Sequence, residues 1–90
     1  MSRGVPADIR EQLLEARAAR QVFEEDAKKL EGWALRRRLD EVGRYEWYAY
    51  CDARRAGVSH RQIARLLGED PNVLWERHGR AYPPPSTNRL

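Results

Sequence analysis

The stretch from Gly57 to Ala81 contains the strongest constraint on folding, because helix start and stop signals alternate along it. Ser59 is followed three residues later by Gln62, which is the pattern of a capping box and predicts a helix that starts directly after the serine. Gly68 is expected to end this helix, because glycine adopts a positive φ without steric cost. The segment therefore predicts a short first helix that stops at a sharp corner.

A second short helix is predicted directly after that corner. Asp70 can cap its amino end, and Pro71 fits the first turn, where a missing amide hydrogen has no consequence. Leu74 is expected to pack in the same apolar core as the first helix. The second helix is expected to end near His78 or Gly79. Two helices of about eight residues joined by a turn of about three have the dimensions of a helix-turn-helix.

The segment before the corner is also predicted to be helical. Residues 7–31 contain neither proline nor glycine and are dense in Ala, Leu, Glu, Arg and Gln,. Apolar residues recur at spacings of three and four, interrupted by Arg20, so that one face of the helix is apolar. These residues are Ile9, Leu13, Ala16, Phe23, Ala27 and Leu30. Two partners for this face remain open: a second copy of the chain, or a hairpin in which the chain folds back at Gly32.

These signals predict an all-α protein, in which a long N-terminal helix or helical hairpin precedes a trihelical helix-turn-helix domain. We expect a helical arm over residues 1–42, which is a possible dimerisation element and ends in a break at Gly43. The helix-turn-helix domain is expected over residues 43–82, and a proline-rich tail over residues 83–90.

Charge is distributed unevenly along the chain. Residues 33–90 carry eleven Lys and Arg against seven Asp and Glu, whereas residues 1–32 carry six against seven. Four arginines, Arg54, Arg55, Arg61 and Arg65, fall between Ala53 and Gly68 without an intervening acid. This concentration of positive charge predicts that an anionic partner would bind at the opening of the corner.

Several function classes are disfavoured by the residues present. Cys51, His60 and His78 lack the paired spacing of a zinc site, so no metal is expected. No glycine-rich phosphate loop, nucleophile elbow or carboxylate pair occurs, and we therefore expect neither enzymatic activity nor a cofactor. A lone cysteine and the absence of long apolar runs favour a cytoplasmic protein with no membrane partner.

The sequence "GVSHRQIARLLG", followed by Leu74 and by "RHGRA", resembles the helix-turn-helix superfamily of DNA-binding domains. It is most similar to the promoter-binding C-terminal region of sigma factors and to response-regulator-type domains. The resemblance covers residues 57–81, with "EWYAYCDARRA" as the preceding scaffold helix, and leaves the first forty residues unexplained.

The resemblance implies that the first helix lies across the phosphate backbone and that the second enters the major groove. The implied contacts to the DNA backbone are Arg54, Arg55, His60, Arg61, Arg65 and Arg77. The implied base-facing residues of the recognition helix are Asn72, Trp75, Glu76 and Arg80.

Two departures from the superfamily pattern fall on the second helix. Glu69 stands directly after the corner glycine, where members of the superfamily usually have an apolar residue. The outward face of the second helix also carries Glu76 and Trp75, with little basic charge until Arg77.

The expected function is non-enzymatic binding of double-stranded DNA, as in a small phage-like or mobile-element-like transcriptional regulator. A homodimer formed through the N-terminal helix is expected, since it would place two corners on one duplex. The alternative is a protein-interaction or assembly factor, such as a phage packaging adaptor or a binder of a host protein, with a protein partner at Trp75.

Overall fold

A computed structural model describes residues 4–84 of the chain. Within them lie four α-helices, followed by a 3₁₀ turn over Gly79–Ala81. The helices are α1 (Ala7–Ala27), α2 (Gly32–Arg55), α3 (His60–Leu67) and α4 (Pro71–Arg77). These residues contain no strand, which confirms the all-α prediction.

The corner between α3 and α4 has the local structure that the sequence predicts. The Ser59 hydroxyl accepts a hydrogen bond from the Gln62 amide at 3.1 Å, and the Gln62 side chain accepts one from the Ser59 amide at 3.1 Å. Gly68 ends α3 with φ of +69°. Asp70 caps α4 by accepting a hydrogen bond from the Asn72 amide at 2.7 Å. The capping box, the glycine stop and the aspartate cap are thus confirmed.

The apolar face of α1 is buried inside the chain. Ile9, Leu13 and Ala16 share one core with residues of α2, α3 and α4, among them Tyr50 and Ile63. The fold-back alternative is therefore confirmed, and the face that was a candidate for self-association is occupied within the chain. α1 is not a separate arm, because it covers the same core that supports the corner.

The predicted break at Gly43 is wrong, since α2 continues through it without interruption. A glycine inside a helix costs about 1 kcal/mol relative to alanine. Val42 and Glu46, on either side of the glycine, are both buried, and their packing outweighs that cost. The expected boundary between residues 42 and 43 therefore falls inside a continuous helix. Of the predicted tail, residues 85–90 lie outside the described part of the chain.

None of the helices in residues 4–84 is both long enough and apolar enough to cross a membrane.

Candidate nucleic-acid interface

The exposed side of α3 carries two arginines that are available to a partner. Arg61 and Arg65 are four residues apart, so they lie on one side of the helix, and both are exposed,. Neither has an ion-pair partner within residues 4–84. Their positive charge is therefore not neutralised by the part of the chain that the structure describes.

Arg54, at the end of α2, is held against two aromatic rings. Its Nη1 donates a hydrogen bond to the Tyr50 hydroxyl at 2.8 Å. Its guanidinium carbon lies 5.8 Å from the centre of the Tyr50 ring and 5.0 Å from that of Tyr82. These contacts orient the guanidinium without cancelling its charge. The neighbouring Arg55, by contrast, pairs with Asp52 at 3.2 Å.

His60 uses both of its ring nitrogens inside the corner. Nε2 lies 2.8 Å from the Pro71 carbonyl oxygen, which can only accept, so this nitrogen is the donor,. Nδ1 lies 2.9 Å from the Tyr50 hydroxyl, and in the neutral ring it accepts that hydroxyl's hydrogen. His60 thus ties the start of α3 to the start of α4 and to α2. Neither nitrogen is left for a phosphate.

Arg77, which the resemblance implied as a backbone contact, is engaged within the protein. Its Nη1 donates to Glu46 and to Glu69, each at 3.0 Å. Burial alone would lower the pKa of Arg77, but the two carboxylates outweigh burial and raise it. The acid that departs from the superfamily pattern after the corner glycine therefore has a structural role, since Glu69 pairs with this arginine.

Glu46 is the most important residue that the sequence did not single out. Its side chain is only 2% exposed, and it accepts hydrogen bonds from Arg20 at 3.0 Å and from His78 at 2.9 Å, besides that from Arg77. Burial alone would raise the pKa of Glu46, but the bonds from His78 and Arg20 and the charges of Arg20 and Arg77 lower it to about 2.

The position of Glu46 in the sequence contains a usable signal. It lies four residues after Val42 and four before Tyr50, on the side of α2 that is buried,. An acid at helical spacing between apolar residues requires a buried cation, because an unpaired charge in a core is strongly unfavourable. Arg20, which interrupts the apolar face of α1, is one such cation.

The outward face of α4 is mixed in character. Asn72, Val73, Trp75 and Glu76 are all exposed. Trp75 is 46% exposed, and its ring packs edge-on against that of His60, with 5.5 Å between the ring centres. Beyond α4, Arg80 pairs with Glu76 at 2.6 Å. This face therefore offers an amide, two apolar side chains and an internally paired charge.

The sequence-predicted residues thus divide by environment. Arg54, Arg61 and Arg65 are free of ion pairs in the described residues, whereas Arg55, Arg77 and Arg80 are paired with acids. Cys51 is buried, and burial raises the pKa of its thiol. In residues 4–84 no three potential metal ligands come together.

No known family model matches this chain, and no curated protein or solved structure is significantly similar to it.

Proposed function

We propose that the protein binds double-stranded DNA through the α3–α4 corner and has a non-enzymatic role, as in a small phage-like or mobile-element-like transcriptional regulator. The observation that carries this proposal is the pair Arg61 and Arg65, which are exposed on the helix that precedes the corner and have no ion pair within residues 4–84. Phosphate contacts of this kind supply most of the nonspecific affinity of DNA-binding proteins. The homodimer and a cytoplasmic location remain parts of the proposal.

The environments of the implied backbone contacts reduce the number of residues that would bind phosphates. Arg77 already has two carboxylate partners and His60 has no unused ring nitrogen, so both are assigned to holding the corner together. Arg55 is paired with Asp52, so Arg54, Arg61 and Arg65 remain as the backbone contacts. Three neutralised phosphates correspond to a slope of about −3 in a plot of log affinity against log salt for each bound chain.

Base contacts would come from the exposed residues of α4. Asn72 is suited to pair with adenine, and Glu76 can accept a hydrogen bond from cytosine. Arg80 is paired with Glu76. To bind bases, this exposed ion pair would have to break, or both of its side chains would have to contact the bases together. We therefore assign to α4 the discrimination between sequences, and to Arg54, Arg61 and Arg65 most of the affinity.

A fluorescence-anisotropy titration with a mixed-sequence duplex at several salt concentrations tests the proposal. Replacing Arg61 and Arg65 together with Ala is expected to weaken binding and to reduce the salt slope by about 2. Arg44→Ala is the matched control, since Arg44 is exposed on α2 and lies two residues from each of the buried Val42 and Glu46. Equal affinity of the double variant and the wild type would overturn the DNA assignment.

A second candidate function, protein binding or assembly, is favoured by the face of α4. Val73 and Trp75 are 45% and 46% exposed on one short helix, and exposed aromatic residues are enriched in protein interfaces. Under this alternative, Trp75→Ala would leave nonspecific DNA affinity unchanged and abolish a protein contact. Loss of duplex binding in the Arg61 and Arg65 double variant, with no effect of Trp75→Ala on any protein contact, would favour the DNA assignment.

A further inference from the structure

The indole ring of Trp75 is held in place at the surface of the corner by two neighbours. It packs edge-on against the ring of His60, the first residue of α3, with 5.5 Å between the ring centres. It also lies directly against Gly79, where an added Cβ would come within 3.0 Å of Trp75 Cδ2 and closer still to Cε3. Trp75 is nevertheless 46% exposed. The corner therefore presents an apolar ring whose orientation is fixed before a partner arrives.

This ring borders the surface that carries the unpaired arginines. His60 directly precedes Arg61, which is exposed on α3. The contact between Trp75 and His60 therefore places the exposed part of the indole beside the start of the arginine-bearing helix. A duplex whose phosphates bind at Arg61 has its base edges in the adjoining groove, and the major groove is wide enough for a helix such as α4.

The other side chains at this face suit one class of base pair. Asn72 lies three residues before Trp75, on the same side of α4, and its side chain is exposed,. An Asn amide matches the edge of adenine, and an apolar side chain matches the 5-methyl group of thymine. Guanine is most often bound by an arginine or lysine, but Arg77 and Arg80 are both paired with carboxylates of the chain.

We propose that the outward face of α4 selects A·T base pairs, with the Trp75 ring packed on a thymine 5-methyl group and Asn72 bonded to adenine. This inference rests on the proposed function and names the base composition that it favours. A methyl group that packs on a ring already fixed in place leaves water without the cost of ordering a side chain. Gly79 is then a positioning residue, because a Cβ at this position would displace the ring.

Competition anisotropy with three duplexes of equal length tests the proposal on the wild-type chain. One is alternating A·T, the second has deoxyuridine at every thymidine and so lacks only the methyl groups, and the third is alternating G·C. The A·T duplex is expected to bind at least fivefold more tightly than the G·C duplex. It is expected to bind about fourfold more tightly than the uracil duplex, the effect of burying one methyl group. Equal affinity for the thymine and uracil duplexes would overturn the proposal.

Protein variants assign the methyl contact to the ring. Trp75→Ala is expected to abolish the difference between the thymine and uracil duplexes, and Gly79→Ala is expected to reduce it. Trp33→Ala is the matched control, since Trp33 is 74% exposed but lies at the start of α2, and it is expected to keep the wild-type ratio. Circular dichroism checks that each variant keeps the helical content of the wild type. A Trp75→Ala variant that still prefers thymine fourfold would overturn the assignment to Trp75.

The salt dependence of the same titrations separates this proposal from the proposed function. Salt-dependent binding with equal affinity for all three duplexes would overturn only the selection of A·T pairs. Absence of salt-dependent binding to every duplex would overturn the DNA assignment itself. A slope of about −3 that persists in Trp75→Ala, together with loss of the thymine preference, agrees with both.

Discussion

Glu46 on α2 accepts a hydrogen bond at 3.0 Å from Arg77, the last residue of α4. The same carboxylate is bonded to Arg20 of α1 and to His78. One buried acid thus connects the N-terminal helix, the scaffold helix and the end of the second corner helix. The orientation of the corner depends on this cluster as well as on its own turn.

Replacing Glu46 with Gln is expected to destabilise the protein by about 3 kcal/mol at neutral pH, because it leaves the partly buried Arg20 and Arg77 without their shared carboxylate,. The folded-state pKa of Glu46, about 2, lies below its ordinary value of 4.5. The stabilisation is therefore present above about pH 4.5 and is lost as the pH falls toward 2. Urea unfolding of both proteins between pH 7 and pH 3 measures it. A difference in unfolding free energy that does not shrink on acidification would contradict this account.

Two glycines are expected to respond in opposite ways to alanine. Gly68 has φ of +69°, and an added Cβ would lie 2.9 Å from the Arg17 guanidinium, so Gly68→Ala is expected to cost about 1–2 kcal/mol. Gly43 lies inside α2, and no atom of residues 4–84 outside the helix's own local backbone lies within 4 Å of an added Cβ. Gly43→Ala is expected to stabilise the protein by about 0.5–1 kcal/mol. Thermal unfolding of the two variants measures both changes, and equal melting shifts would contradict the prediction.

Tyr50→Phe removes the hydroxyl that links Arg54 to His60. It leaves His60 Nδ1 without its partner, and we expect a loss of about 1–2 kcal/mol in the free energy of unfolding. Under the proposed function, Arg54 also loses its anchor, so duplex affinity is expected to fall while the salt slope changes by less than 1. Chemical unfolding and anisotropy titrations measure the two effects. A variant as stable as the wild type would show that the hydroxyl bonds are not stabilising.

Arg77→Ala separates a structural arginine from a phosphate-binding one. Because Arg77 pairs with Glu46 and Glu69, the change is expected to lower the free energy of unfolding by about 3 kcal/mol. At a temperature where the variant is fully folded, the salt slope of duplex binding is expected to stay at the wild-type value. Arg65→Ala is the comparison, with little change in stability and a slope smaller by about 1. A smaller salt slope of duplex binding for Arg77→Ala than for the wild type would show that Arg77 contacts phosphates.

The local structure of the corner could be predicted from the sequence because its determinants are short-range. Ser59 and Gln62 are three residues apart, and Asp70 caps an amide two residues away. The stop at Gly68 depends only on the conformations open to glycine. Capping and turn formation need no knowledge of distant residues, and they were predicted correctly.

The environment of each charged residue could not be predicted in this way, because it depends on contacts between segments far apart in sequence. Glu46 meets Arg20 across 26 positions and His78 across 32. The acid and both partners stand in the sequence among many other charged residues, and nothing in their spacing selects this set. Only packing of the helices decides that, in the described part of the chain, Arg77 is paired while Arg61 and Arg65 are not.

The sequence by itself thus determined the helices of the corner and the all-α class, because helix propensity and capping act within a few residues. The tertiary structure decided that the apolar face of α1 is covered by the chain's own helices, that α2 passes through Gly43, and which arginines remain available to a partner. Those outcomes follow from burial. A buried charge is stable only beside an opposite charge, and an apolar helix face packs against apolar residues from other parts of the chain.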